Sequence, residues 1–151
     1  MDLIFSICNG LFLLIFALFD VLNKRIIPNY ITIPYVLFSF LTLFFRDDPL
    51  PYALGFAEFC LILGIIWVYS RIRKINLLNA IGGADLKVFL GLSISSGVTI
   101  FNSTLIISSF LGIVFALTLK KRKITFLPFL FLGYLLVIIF LFLGKMVLTY
   151  P

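Results

Sequence analysis

The sequence predicts an all-α polytopic membrane protein with six transmembrane helices and both termini on the extracytoplasmic side. Of its 151 residues, 63% are hydrophobic and 12% are charged, whereas a soluble domain carries about 25% charged residues. The mean hydropathy is +1.25. A helix needs about 20 apolar residues to cross a bilayer, so the chain has room for roughly six spans joined by short loops. We therefore expect residues 1–151 to form a single transmembrane domain.

The first half of the chain contains three predicted spans. Asp20 stands at the end of the first span, and Glu58 lies inside the third. Pro28 breaks the chain before the second span, because proline disfavours a helical conformation in the residue that precedes it. The three spans are residues 3–19, 30–45 and 50–70.

The second half of the chain contains the other three predicted spans. A weak polar break at Asn102 and Ser103 separates the fourth span from the fifth. Ser93, Ser95 and Ser96 lower the hydrophobicity of the fourth span, so we expect this helix to face other helices rather than lipid. The three spans are residues 86–98, 104–119 and 124–144.

Basic residues are concentrated in the loops that follow the first, third and fifth spans. The opposite side holds only Arg46 and Lys145. The positive-inside rule makes the basic side cytoplasmic and leaves both termini outside. The net charge of +6 therefore indicates orientation, and we expect no nucleic-acid partner. The basic residues of the cytoplasmic side are Lys24, Arg25, Arg71, Arg73, Lys74, Lys87 and Lys120 to Lys123.

The chain offers no pattern typical of a metal or cofactor site. Cys8 and Cys60 both lie inside apolar runs, and there is no histidine. This arrangement fits neither a disulfide framework nor a zinc site. We interpret both cysteines as packing residues and expect neither a metal nor a cofactor.

Alternating span direction brings two carboxyl groups to one membrane face. The first span descends to the cytoplasmic side and ends at Asp20, and the fourth span begins at that side, next to Asp85. Both aspartates should therefore lie at the same depth. Glu58 lies about a third of the way down the third span from the outer face, roughly 15 Å or more from them at 1.5 Å per residue.

This pair predicts a hydrolytic site. Two carboxyl groups in a poorly hydrated site cannot both ionise easily, so one of them keeps a proton. The ionised group can take a proton from water, and the protonated group can polarise a peptide carbonyl. Gly82 and Gly83, just before Asp85, let the backbone approach a substrate and adopt conformations closed to other residues. The pattern fits acid–base hydrolysis of a peptide bond without a covalent intermediate.

Other interpretations of these residues stay open. An aspartate at a membrane edge is often only a helix cap or a solvated loop residue, and a glycine pair before a helix often only serves a turn. Glu58 is typical of a carboxyl that is protonated or hydrogen-bonded between helices. A different function would be a small transporter or proton-conducting protein with Asp20, Asp85 and Glu58 as relay carboxylates. A third would be a non-catalytic assembly factor.

Two stretches of the chain resemble the signatures of the type IV prepilin peptidases, a family that includes the archaeal preflagellin peptidases. One signature is Gly-x-Gly-Asp-x-Lys, and the other is an aspartate shortly before an Ile-Pro-Asn triplet after the first span of the core. The order and placement of the spans are similar over essentially the whole chain. The stretches are Gly82-Gly83-Ala84-Asp85-Leu86-Lys87, and Asp20 followed by Ile27-Pro28-Asn29.

The resemblance implies a six-span intramembrane aspartyl protease of the cell membrane, with its active site at the cytoplasmic face. Such an enzyme removes short basic leaders from prepilin-like precursors, each a single-span protein in the same bilayer. Asp20 and Asp85 would be the catalytic dyad. The signature loop and triplet would form the substrate-binding or motif region, with a structural role for the triplet. These residues are Gly82, Gly83, Ala84, Lys87, Pro28 and Asn29.

The chain departs from the family pattern at three points. Ala84 replaces the second glycine of the signature and loses access to positive φ. The spacing from Asp20 to Pro28 is a residue longer than the pattern. The chain also lacks the cysteine-rich insertion of the larger bifunctional enzymes, so we expect no N-methyltransferase activity. The small archaeal or Tad-type members are the nearer comparison.

Overall fold

The computed structural model of this protein describes residues 2–22, 27–74, 82–119 and 125–149, and all regular structure in these ranges is helical. This confirms the predicted all-α class. Several basic residues behind the orientation prediction, Lys24, Arg25 and Lys120 to Lys123, lie outside the described ranges, as does the side chain of Lys145. The helices within these ranges are α1 (Asp2–Leu22), α2 (Asn29–Leu43), α3 (Leu50–Arg73), α4 (Gly83–Leu119) and α5 (Leu127–Thr149).

The helices have the length and surface of a helical membrane protein. Four of them, α1, α3, α4 and α5, are long and apolar enough to cross a bilayer, whereas α2 has 15 residues. Fifteen residues rise about 22 Å, which is short of a hydrocarbon core of about 30 Å. Large apolar side chains on the outward faces are exposed, among them Leu11, Ile65, Phe110 and Phe140. Lipid is the solvent in which such a surface is stable.

Helix α4 contains a backbone break at Gly97, with φ 76° and ψ 166°. The break predicted at Asn102 and Ser103 is wrong, because both residues are helical. Only glycine adopts this part of the backbone map readily, since it has no Cβ. The polarity of Asn102 has another use, because its side-chain amide donates a hydrogen bond to Glu58 at 2.9 Å. Polarity at this position therefore indicates a contact between helices and not a loop.

The two parts of α4, residues 83–96 and 98–119, lie side by side. Phe89 from the first part and Leu105 from the second line the same small apolar cavity, together with Ile62 of α3. In an unbroken helix, Phe89 and Leu105 would be about 24 Å apart at 1.5 Å per residue. The chain therefore turns back on itself at Gly97, and both parts of α4 pack against α3.

The core of the bundle draws on helices from both halves of the chain. One cluster of fully buried side chains includes residues from four helices. They are Phe16 of α1, Tyr35 of α2, Leu92 and Phe101 of α4, and Leu130 of α5. Because α4 contributes on both sides of its break, this helix forms the centre of the fold.

The serines of α4 lie against other helices, as the sequence predicted. Ser93, Ser95 and Ser96 are all buried. Ser95 donates a hydrogen bond to the carbonyl of Gly91 at 2.8 Å, and Ser96 accepts one from Asn9 of α1 at 3.5 Å. Polar and small side chains of this kind allow close approach of helices within a membrane.

Candidate active site

Asp20 lies in the last turn of α1, which runs on to Leu22. The first predicted span ends at residue 19, but the helix itself continues through Val21 and Leu22, whose apolar side chains are exposed. The Asp20 side chain is 6% exposed. A carboxyl group buried to this degree is costly without compensating interactions, so its position at the end of a membrane helix needs a reason.

Asp85 lies in the first turn of α4, two residues after the helix begins at Gly83. The backbone N–H of Leu86 donates to the carbonyl of Gly82 at 3.2 Å and starts the helical hydrogen-bond pattern. An acidic side chain in this turn interacts favourably with the positive end of the helix dipole. Asp85 is half-buried, so its carboxyl group lies at the boundary between the bundle and its surroundings.

The structure brings Asp20 and Asp85 together. The two carboxyl groups are close enough to repel each other electrostatically, although the two residues are 65 positions apart along the chain. The end of α1 and the start of α4 are the elements that hold them. Two carboxyl groups at this proximity can divide the roles of acid and base between them.

The predicted triplet begins α2 and ties it to the start of α4. Pro28 precedes the helix with an extended backbone, φ −67° and ψ 145°, and its carbonyl accepts the N–H of Ile31 at 3.1 Å. Asn29 accepts a hydrogen bond from the Lys87 ammonium through its side-chain oxygen. Ile27 is buried in the core cluster. These contacts fit a structural role for the triplet, with Lys87 holding α2 beside the helix that carries Asp85.

The glycines before Asp85 are used for space and not for unusual backbone angles. Among the described residues, only Gly97 is a glycine with positive φ, so the expectation that Gly82 and Gly83 adopt conformations closed to other residues is wrong. A Cβ placed on Gly82 would lie 3.1 Å from Oδ2 of Asp85. The Asp85 carboxyl group therefore folds back over Gly82. Ala84 is helical, so it needs no access to positive φ.

Replacing Gly82 by alanine is expected to lower precursor cleavage about tenfold without unfolding the protein. The added methyl would press on Oδ2 of Asp85 and move the carboxyl group by a few tenths of an ångström, and errors of about 1 Å in reacting groups cost about 10²-fold. Initial cleavage rates would measure the effect. Ala84→Gly is the matched control, since it changes a small residue of the same segment without adding atoms. Unchanged activity in Gly82→Ala would contradict the proposed role of the contact.

Glu58 is separate from this pair. Its carboxylate accepts the hydrogen bond from Asn102 between α3 and the second part of α4, and its side chain is half-buried. This is the interhelical hydrogen bond that its sequence context suggested. The sequence analysis missed Asn102 as the partner, although both residues are isolated polar side chains inside apolar runs.

Arg46 makes interhelical contacts that the sequence did not predict. The sequence predicts that it lies between two spans on the extracytoplasmic side, but its guanidinium donates a hydrogen bond to the carbonyl of Ser95 at 3.2 Å. It also lies 4.7 Å from the ring centre of Phe5 and 4.5 Å from that of Tyr52. The side chain thus connects α1, α3 and α4 at the end of the bundle opposite the aspartates.

The described residues contain no group of three or more histidine, cysteine, aspartate or glutamate side chains that could hold a metal ion. Cys8 and Cys60 are both free thiols, the first half-buried and the second exposed.

Comparison with known proteins identifies one family. The profile of the type IV leader peptidase family matches residues 7–117, which is more than half of the chain, and this confirms the resemblance found in the sequence. The matched range includes both aspartates, the triplet and the signature loop. No curated protein and no solved structure matches the chain significantly.

Proposed function

This chain belongs to the type IV leader peptidase family, and we propose that it is an aspartic endopeptidase that cuts short basic leaders from prepilin-like precursors. The observation that carries the proposal is the proximity of the Asp20 and Asp85 carboxyl groups at the ends of two membrane helices. Both residues lie in the range that the family profile matches. A protease of this type needs two carboxyl groups and one water molecule.

In the proposed reaction, one ionised carboxylate of the pair takes a proton from a water molecule. The water oxygen attacks the carbonyl carbon of the scissile peptide bond, while the other carboxyl group, which is protonated, donates a hydrogen bond to the carbonyl oxygen. The C–N bond of the resulting tetrahedral intermediate then breaks, and the leaving amine takes up a proton from the pair. Asp85 is the more exposed of the two groups, so we assign it the first contact with the substrate.

We further propose that the chain crosses the membrane six times, with the short helix α2 and each of the two parts of α4 counted as one crossing, and with the two aspartates at the cytoplasmic face. The side-by-side arrangement of the two parts of α4 supports this count, because each part pairs with α3. Cationic residues support the orientation: Arg71 and Arg73 lie in the last turn of α3 and Lys87 lies in the first turns of α4. Cytoplasmic loops are enriched in such residues.

The substrate would be a single-span membrane precursor whose basic leader lies at the same face. A basic leader meets a surface rich in lysine and arginine, so the aspartate pair is its main local attraction. Screening by salt weakens interactions between exposed charges. Salt also screens the repulsion between the leader and the surrounding basic residues, so slower cleavage at higher ionic strength would show that attraction to the pair dominates, and faster cleavage that the repulsion dominates.

The decisive experiment is mass spectrometry of a prepilin-like precursor incubated with the purified protein in lipid. Endoproteolysis predicts two products whose masses sum to that of the precursor plus one water molecule, with the cut before the hydrophobic segment. A precursor that stays intact with folded protein would contradict the proposal. Proton flux into vesicles without any cleavage would instead favour the transporter alternative.

A further inference from the structure

The exposed surface of α3 changes character toward the end of the helix. Ile65 is 61% exposed and faces the surroundings of the bundle, followed by Trp67 and Tyr69, each 51% exposed. Arg71 and Arg73 come next, in the last turn. The order from aliphatic to aromatic to cationic side chains is the order of layers at a membrane–water interface. The surface from residue 65 to residue 73 therefore extends from hydrocarbon to the headgroup layer.

Three of these side chains share one flank of the helix. Trp67 and Arg71 are four residues apart, so they lie one above the other on successive turns, and Lys74 follows three residues later at the end of the helix. The guanidinium of Arg71 lies over the Trp67 ring, 5.3 Å from its centre. Lys74 is the C-cap residue of the helix, with φ 54° and ψ 34°, and its side chain is exposed. The Trp67 ring and the Arg71 guanidinium thus form one outward-facing pair, and a second cation follows at the end of the same helix.

We propose that Trp67, Arg71 and Lys74 bind the headgroup of an anionic phospholipid from the surrounding bilayer. The planar guanidinium of arginine matches two phosphate oxygens, and stacking on Trp67 holds it in place with little loss of side-chain freedom. The ring occupies the depth where tryptophan is enriched in membranes. The charge of the group requires an anionic partner, and the apolar surface below it requires acyl chains.

Tyr69 and Arg73 provide an internal comparison on the other flank of α3. The Arg73 guanidinium lies 5.9 Å from the Tyr69 ring centre, and Tyr69 and Arg73 are four residues apart, as Trp67 and Arg71 are. The two flanks are separated by a helix about 10–12 Å wide, which is about one Debye length at 0.1 M salt. A charge on one flank therefore contributes little to a headgroup held on the other.

The test is titration of the full-length protein in detergent with phosphatidylglycerol or phosphatidylcholine, followed by native mass spectrometry. Removing one interfacial cation weakens attraction to an anionic headgroup about fivefold. We expect Arg71→Gln to lower the affinity for phosphatidylglycerol by that factor, and Arg71→Gln with Lys74→Gln to lower it about 25-fold. Arg73→Gln, which removes the same charge from the other flank, should stay within about twofold of the unchanged protein.

Several results would overturn this assignment. Equal affinity for the anionic and the zwitterionic lipid would show that headgroup charge is not recognised. Equal losses in Arg71→Gln and Arg73→Gln would reduce the effect to general electrostatics. Displacement of the lipid by the same concentration of inorganic phosphate or of a soluble acidic peptide would show that a free anion, and not a membrane lipid, is the ligand. The thermal unfolding midpoint of each variant is measured in the same detergent. An unchanged midpoint shows that weaker lipid binding comes from the lost side chain and not from unfolding.

Discussion

Replacing either Asp20 or Asp85 by asparagine is expected to abolish cleavage of the precursor while the helical bundle stays folded. Asparagine has nearly the size and shape of aspartate, but its amide does not ionise, so it can neither take a proton from water nor transfer one to the leaving amine. A positioned acid or base contributes about 10²- to 10⁴-fold to a rate. Because the two carboxyl groups lie close together, each single variant leaves the pair without either its acid or its base. We therefore expect the cleavage rate to fall by a factor of this size in each single variant.

The measurement is the initial rate of product formation for each variant at equal amounts of folded protein. Glu58→Gln is the matched control, because it also replaces one carboxyl group in a membrane helix by an amide. Glu58 is hydrogen-bonded to Asn102 away from the pair. Glutamine keeps a side-chain oxygen that can accept this hydrogen bond, so this variant should cleave within about threefold of the unchanged protein. A wild-type cleavage rate in Asp20→Asn or Asp85→Asn would contradict the proposed catalytic pair. Loss of activity in Glu58→Gln would instead favour a proton relay.

The double variant sharpens this test. Groups that act as one catalytic unit are strongly non-additive, since removing the second costs little once the first is gone. Asp20→Asn with Asp85→Asn should therefore be about as slow as either single variant. Multiplied losses would show that the two carboxyl groups act independently.

The sequence predicted the helical class and the meeting of the two carboxyl groups for the same physical reason. Hydropathy is a strong one-dimensional signal, because backbone groups in lipid must be satisfied within helices. Once helices alternate in direction, the depth of Asp20 and Asp85 follows from their positions along the chain. The contact between Asn29 and Lys87 could not be derived in this way, because depth says nothing about which helices are neighbours.

Sequence patterns do not distinguish two structural purposes that the same kind of residue can serve. Asn102 and Gly97 are both interruptions in an apolar run, yet the first makes an interhelical hydrogen bond and the second breaks the helix. Gly82 was interpreted as a source of backbone freedom, whereas it provides room for the Asp85 carboxyl group. Each distinction depends on what lies opposite the residue in space. Hydropathy and spacing along a single chain do not contain that information.

Replacing Gly55 by alanine is expected to have the largest effect on stability. A Cβ at this position of α3 would collide with the carbonyl oxygen of Ser93 and would lie 3.2 Å from the backbone nitrogen of Val98 and 3.3 Å from the carbonyl carbon of Gly97. These are backbone atoms around the break in α4, so no side-chain rotation can relieve the contact. Inserting atoms into a packed interior costs about 1–3 kcal/mol, and we expect the upper end of that range.

Gly64→Ala is the matched control in the same helix. Nothing lies within 4 Å of a Cβ added at Gly64, and alanine is the better helix former by about 0.8–1.0 kcal/mol. Thermal unfolding in detergent should therefore show a lower midpoint for Gly55→Ala and an equal or higher one for Gly64→Ala. Cleavage should fall with Gly55→Ala, because separating α3 from α4 also moves the segment that carries Asp85. A Gly55→Ala protein as stable as the Gly64→Ala protein would mean that α3 and the break in α4 are not in backbone contact.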